Sequence, residues 1–100
     1  MSYRRLIPSL AERDITEAAL WYERQQSGLG EKFLQQVDAA IGRVLENPFA
    51  YPIIRRRHEM RRVLTRQFPY RIFYSLEGDT VVIHAVLHAS RSERALDERV

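Results

Sequence analysis

The apolar residues of the first half recur at helical spacing. One stripe at steps of three and four residues comprises Ala11, Ile15, Ala18, Ala19 and Tyr22. This spacing predicts a helix of about four turns. A cleaner stripe from Leu29 to Leu45 predicts a second helix, which ends at Asn47-Pro48 because a proline disfavours helical backbone before it. Gly28 and Gly30 break the pattern between them, and so short a connection predicts an antiparallel helix hairpin.

The segment before the first helix predicts a short strand. Tyr3 to Ile7 form this segment, and Pro8 ends it because proline has no backbone donor for a sheet. Ser9 is the expected N-cap of the first helix, and Glu12, three residues later, completes the spacing of a capping box.

After Asn47-Pro48 the pattern changes to one typical of strands. Residues 49–58 read as a loop, and apolar runs at 60–66, 70–76 and 80–88 predict three strands. The predicted order is β-α-α-β-β-β. It indicates an α+β domain with the helix hairpin on one face of a three-stranded antiparallel sheet, preceded by the N-terminal strand.

The composition indicates one small domain over residues 1–100. Of the 100 residues 45% are hydrophobic, and none is a cysteine, which excludes a disulfide scaffold, a zinc finger and a thiol nucleophile. Apolar runs are too short for a membrane span, and the first residues lack a signal-peptide pattern. We therefore expect a cytoplasmic protein with no membrane association. Residues 89–100 are charged and expected to form a mobile tail.

The basic residues are concentrated in the second half of the chain. Residues 1–50 carry six basic and seven acidic side chains, whereas residues 51–100 carry ten basic and six acidic ones. Seven arginines lie within residues 55–71, against the single acid Glu59. Such a field favours a polyanion or an acidic protein segment as partner, although a solvated rim on a basic protein stays an alternative.

Several kinds of chemistry lack support in the sequence. His84 and His88 share a strand face but lie ~13 Å apart, too far for one metal ion, and His84 is better explained as a packed or hydrogen-bonded residue. The glycines fit no phosphate loop, and the serines lack a nucleophile-elbow context. We therefore expect no metal site and no cofactor.

The remaining candidate site is a face of the sheet that carries arginines. Alternation places Arg62 and Arg66 on one face of their strand and Arg61 on the other, while Arg71 belongs to the next strand. His88 and Arg91 lie at the end of the last strand. Guanidinium groups converging there would bind phosphates or carboxylates, and a histidine beside them would move a proton. This arrangement suits either RNA cleavage or an acidic protein partner.

The order of motifs resembles the ParE/RelE superfamily of type II toxins over nearly the whole chain. The residues that carry the resemblance are Trp21-Tyr22-Glu23, Phe33, Asn47-Pro48, the run from Phe68 to Tyr74, and Val86-Leu87-His88 with Arg91. The second half looks like the ParE, or plasmid-stabilisation, branch.

The resemblance implies a toxin that inhibits growth and is held inactive by a cognate antitoxin in a hetero-oligomer. In the ParE branch the target is DNA gyrase, which is trapped on cleaved DNA, and the toxin performs no catalysis. No catalytic residue is then expected. The residues expected to bind the target or the antitoxin are Arg61, Arg62, Arg66, Arg71, Arg91 and Trp21.

The RelE branch implies instead a ribosome-dependent mRNA endoribonuclease. Its site here would be Arg62 in a lysine position, Arg71 and Arg91 in arginine positions, and His88 as a replacement acid–base group. The second lysine position is occupied by Leu64 and the C-terminal tyrosine position by Asp97, which favours the gyrase branch. A third hypothesis is a toxin fold that has lost toxicity and persists as an interaction module.

Overall fold

A computed structural model describes residues 2–99. Its strands are β1 (Arg4–Leu6), β2 (Ile53–Arg55), β3 (Met60–Leu64), β4 (Tyr70–Glu77) and β5 (Thr80–His88). Its α-helices are α1 (Ser9–Gln25) and α2 (Leu29–Glu46), and two 3₁₀ segments cover Arg57–Glu59 and Glu93–Glu98. None of the helices in residues 2–99 combines the length and the apolar character that crossing a membrane requires.

The strands form one sheet of order β1-β5-β4-β3-β2, in which β1 runs parallel to β5 and the other pairs are antiparallel. This confirms the predicted α+β fold and its element order. The sheet has one strand more than predicted, because β2 lies at its edge within the segment read as a loop. Three residues after Pro52 are too few to show an alternating pattern.

The main core lies between the helix hairpin and one face of the sheet. Buried members from the helices are Phe33, Val37, Ala40, Ile41 and Val44, and those from the sheet include Val63, Ile72, Tyr74, Val81 and Ile83. The fully buried Tyr74 hydroxyl donates a hydrogen bond to the carbonyl oxygen of Pro48 at 2.7 Å, which ties β4 to the end of α2. Burial also raises the pKa of Tyr74 to about 12.

The turn between the helices is closed by a side chain from α1. The Glu23 carboxylate accepts hydrogen bonds from the backbone N–H groups of Gly28 and Gly30, each at 3.0 Å. Gly28 has a φ of 88°, which favours glycine, and precedes α2 as its N-cap. Gly30 does not break the helix, as the sequence suggested, but lies inside α2. A Cβ there would stand 2.6 Å from the carbonyl oxygen of Ala19, so glycine allows the two helices to approach closely.

The capping box predicted at Ser9 is wrong. Pro8 is the N-cap of α1, with φ −58° and ψ 159°, and no side chain caps this end. The carbonyl oxygen of Pro8 accepts the hydrogen bond of the Glu12 N–H at 3.0 Å. Ser9 is therefore already helical, because the extended conformation that an N-cap adopts is supplied by the proline.

The C-terminal segment does not extend as the predicted mobile tail but folds against the sheet face opposite the helices. We call this the open face because the helix hairpin does not cover it. Leu96 is fully buried there, in a second cluster with Met60, Phe73, Ala85 and Leu87. The neighbouring Asp97 forms an ion pair with Arg55 at 2.7 Å. The charged residues of this segment thus have partners in remote parts of the chain, which the local sequence does not show.

Arg99 fastens the end of the described chain. Its guanidinium bonds both Asp14 carboxylate oxygens, at 2.8 and 2.9 Å, and donates to the carbonyl oxygen of His84 at 3.0 Å. Both partners of the ion pair are about nine-tenths buried. The hydrogen bonds with Asp14 raise the pKa of Arg99, so its guanidinium stays charged.

Candidate functional site

The alternation along β3 and β4 places Arg62 and Arg71 on the open face. Arg62 lies two residues after Met60 and pairs with Phe73 across the strands, and both of these apolar residues belong to the open-face cluster. Arg71 lies two residues before Phe73 and pairs with Leu64. The predicted common face of these two arginines is therefore present, but their surroundings differ.

Arg71 is occupied by contacts within the chain. Its guanidinium bonds the Glu93 carboxylate at 3.0 Å and donates to the carbonyl oxygens of His88, at 3.4 Å, and Arg91. It also lies over the Phe73 ring, with 5.4 Å between guanidinium carbon and ring centroid. The side chain is only 13% exposed. Arg71 thus holds the C-terminal segment to the sheet instead of presenting a free cation.

One atom of this contact is left without a partner. Among the described residues, the buried Nε of Arg71 makes no hydrogen bond. The Arg71 contacts therefore do not satisfy the side chain completely, and the buried unpaired donor lowers the stability of the fold.

Arg61 points to the other side of the sheet and organises the chain between α2 and β2. It donates hydrogen bonds to the carbonyl oxygens of Tyr51 at 2.6 Å and Phe49 at 3.3 Å. Its guanidinium carbon lies 5.5 Å from the centroid of the exposed Phe49 ring. Like Arg71, Arg61 is therefore occupied by contacts within the chain.

His88 lies on the helix side of the sheet, away from Arg62 and Arg71. Its ring makes an edge contact with Tyr70, at 5.3 Å between centroids, and its Nδ1 is 2.8 Å from the Ser90 hydroxyl. Of the four residues of the predicted ribonuclease site, Arg71 contacts the backbone of His88 and Arg91, but the His88 ring lies on the opposite face from the Arg62 and Arg71 side chains. Asp97, in the position of the family tyrosine, is paired with Arg55.

His84 is hydrogen-bonded at the sheet, as the sequence predicted. Its Nε2 is 2.7 Å from the hydroxyl of the buried Ser75. Burial is the largest cause of a lowered pKa of His84, which favours the neutral ring. Within residues 2–99, no three acidic or histidine side chains are placed to hold a metal ion.

Arg62 and Arg66 line a groove at the edge of the sheet. The groove has a volume of about 440 Å³ and is lined by Arg43, Tyr51, Pro52, Arg62, Val63, Leu64, Thr65 and Arg66. None of these described lining residues is acidic. Leu64 supplies an exposed apolar side chain. We call this surface the basic groove.

Arg43 is a groove residue that sequence analysis missed. It sits in the last turn of α2, and its guanidinium donates to the carbonyl oxygen of Leu64 at 2.9 Å, which connects the helix to β3. On the helical pattern it reads as an ordinary polar-face residue. Only the position of the helix end beside β3 places it next to Arg62 and Arg66.

Trp21 and the Arg91 side chain are exposed and do not line the basic groove, although the carbonyl oxygen of Arg91 accepts a hydrogen bond from Arg71. Trp21 lies on α1, with half of its surface exposed and its ring edge against Tyr22. Arg91 follows β5, and its side chain makes no hydrogen bond or ion pair among the described residues.

The fold and this site define a small α+β domain with a basic, partly apolar groove. Residues 6–93 match a protein family described as the ParE toxin of the type II toxin–antitoxin system parDE. The chain therefore belongs to this family of toxins. No curated protein matches the chain significantly in sequence.

Two solved structures share the fold. The chromosomal ParDE toxin–antitoxin system from P. aeruginosa superposes with a TM-score of 0.66 at 13% identity, covering 89% of this chain and 98% of that chain. The RelBE2 toxin–antitoxin complex from Mycobacterium tuberculosis gives a TM-score of 0.59 at 22% identity, covering 88% and 99%. At these identities the two structures establish the architecture.

Proposed function

We propose that this toxin acts in the cytoplasm and is neutralised by an antitoxin that docks an acidic, partly apolar segment in the basic groove. The observation that carries the proposal is the charge of the groove. Arg43, Arg62 and Arg66 line it, none of the described lining residues is an acid, and Leu64 stands exposed among them. Carboxylates of the antitoxin would pair with the arginines while an apolar side chain covers Leu64.

The docking proposal is tested by calorimetry with the cognate antitoxin. Reversing two charges of the groove, R62E with R66E, is expected to weaken binding at least tenfold, because an acidic segment then meets like charges. The matched control is R56E with R57E, which changes the same charge at exposed positions beside the edge strand. Equal affinity of the two double variants would contradict docking in the groove. Absence of binding by the unaltered chain would contradict the proposal that this antitoxin is its partner.

The second part of the proposal concerns the target. We infer that the toxin inhibits DNA gyrase as a binding protein without chemistry of its own. The ribonuclease alternative loses support because Arg71 is held by Glu93, His88 lies on the opposite side of the sheet from Arg62, and Asp97 replaces the tyrosine. A phosphate would have to displace the C-terminal segment to reach Arg71.

The target is tested in a gyrase supercoiling and DNA-cleavage assay with the purified chain. We expect loss of supercoiling with accumulation of linear DNA, and reversal of both effects by the antitoxin. No effect at large molar excess of folded toxin would contradict the gyrase assignment. Cleavage of mRNA on programmed ribosomes would then support the endoribonuclease instead. Inactivity in both assays would support a non-toxic interaction module.

A further inference from the structure

A row of aromatic rings leads from the surface of α1 to the end of β5. The Trp21 ring lies 5.1 Å from that of Tyr22, the Tyr22 ring 6.2 Å from that of Tyr70, and the Tyr70 ring 5.3 Å from that of His88, measured between centroids. Trp21 is 52% exposed, whereas the other three rings are only partly exposed, and Tyr22 and Tyr70 also pack against Phe33 of the main core. These four rings, which we call the aromatic row, reach solvent on the helix side of the sheet.

Two loops are joined beside this row. The N–H of Ala89, after β5, donates to the carbonyl oxygen of Pro69, before β4, at 2.7 Å. The N–H of Arg91 donates to the carbonyl oxygen of His88 at 2.9 Å. These bonds keep the chain around Arg91 next to the start of β4, and therefore near the end of the aromatic row.

Two cations without partners in the described part of the chain lie beside the row. Arg24 lies three residues after Trp21 on α1, which places both on neighbouring positions of one helix face. Among the described residues, the exposed side chains of Arg24 and Arg91 make no hydrogen bond or ion pair. The nearby acids have other partners, since Glu17, one turn before Trp21 on α1, pairs with Arg13, Glu23 caps α2 and Glu93 pairs with Arg71.

The rings themselves add no negative charge. Burial raises the pKa of Tyr70 to about 12, and the neighbouring Tyr22 hydroxyl contributes to this rise. The phenol is therefore neutral at physiological pH. An anionic ligand thus meets rings that carry no negative charge, bordered by guanidinium groups.

From these observations we propose that the aromatic row binds single-stranded nucleic acid, with bases stacked on Trp21 and the adjoining rings and phosphates held by Arg24 and Arg91. Exposed aromatic rings on which bases can stack, beside a basic track, are the combination that binds single strands without sequence preference. The surface lies apart from the basic groove, and the inference does not depend on the antitoxin or on gyrase. An acidic peptide would use the arginines but has no need of the row of rings.

The first experiment uses Trp21, the only tryptophan of the chain, as its own reporter. We expect its fluorescence to be quenched by an oligothymidylate of ~12 nucleotides at low salt. This length lies within the roughly 4–16 nucleotides that other small single-strand-binding domains, such as OB folds, cover. Two polyanions without bases, polyphosphate and poly-glutamate, should leave the emission unchanged. Equal quenching by poly-glutamate would overturn the proposal in favour of an acidic protein partner, and no quenching by the oligonucleotide would also overturn it.

The second experiment measures a labelled strand by fluorescence anisotropy with variants of the row. W21A should weaken binding at least fivefold, whereas W21F, which keeps a stacking face, should recover most of the loss. R91A should lower the slope of log affinity against log salt by about 0.7, because one phosphate contact disappears. The matched control R57A, at an exposed arginine near the opposite edge strand, should stay within twofold. A W21A effect no larger than that of R57A would overturn the proposal, provided that circular dichroism shows both variants folded.

Discussion

The arginines of this toxin differ in burial and partners far more than their sequence suggests. Arg61 and Arg71 both hold backbone carbonyls, whereas Arg62 and Arg66 line an open groove. Alternation along β3 correctly predicted that Arg61 and Arg62 face opposite sides. It could not predict that Arg71 meets Glu93, because an ion pair across 22 residues depends on how the C-terminal segment folds.

The structural role of Arg71 predicts a stability effect. R71A should reduce the free energy of unfolding by about 1–2 kcal/mol, because it removes the hydrogen bonds to Glu93 and to the carbonyl oxygens of His88 and Arg91, while the partly exposed Glu93 keeps contact with water. Urea denaturation measures this change. R91A, at an exposed position, serves as the control and should stay within about 0.5 kcal/mol. A loss of the same small size for R71A would show that the Arg71 contacts do not hold the fold.

The buried phenol of Tyr74 predicts an alkaline limit to stability. Its pKa rises from 10.0 to about 12 on folding, so folding favours the neutral phenol. The stability that it contributes is complete below pH 10 and is lost as the pH rises towards 12. Between pH 9 and pH 11 we expect a loss of about 1.4 kcal/mol from this residue.

Urea denaturation of Y74F tests this pH dependence. The variant loses the hydrogen bond to Pro48, about 1 kcal/mol at neutral pH. Its stability should fall less than that of the unaltered chain between pH 9 and pH 11, because the phenylalanine does not titrate. Parallel pH profiles of the two proteins would refute the assignment to Tyr74.

Among the helices and strands, long periodic patterns predicted their elements correctly. Short strands and features that depend on tertiary contacts could not be predicted in this way. The α2 stripe from Leu29 to Leu45 nearly coincides with the observed helix, which ends at Glu46. By contrast, β2 has three residues and owes its existence to pairing with β3 at Ile53 and Arg55. Such a strand is set by its neighbour rather than by its own propensity.

The helix hairpin offers a matched pair of glycine substitutions. G30A should destabilise the protein, because the new Cβ would stand 2.6 Å from the Ala19 carbonyl oxygen and force the helices apart. G42A, in the same helix, places its Cβ in open space and should stabilise by about 0.5–1 kcal/mol. Thermal unfolding of both variants gives the comparison. A G30A variant as stable as G42A would contradict the close approach of α1 and α2.

At the scale of the whole molecule, the two faces of the sheet are both covered, but by different means. The helix hairpin covers one face, and the segment Glu93–Glu98 covers the other through Leu96 and two ion pairs. Composition predicted one small domain and a basic second half. It could not predict which cations stay free, since that depends on the acids that the C-terminal segment delivers to Arg55 and Arg71.

This distribution of free and occupied cations leads to the central claim that the antitoxin neutralises the toxin through the basic groove. The most direct test is growth of cells that produce the antitoxin together with the unaltered chain, the groove variant R62E with R66E, or the control R56E with R57E, each at equal soluble protein level. We expect the antitoxin to restore growth with the unaltered chain and the control, and growth arrest to persist with the groove variant. Growth restored equally with the groove variant and the unaltered chain would contradict the claim.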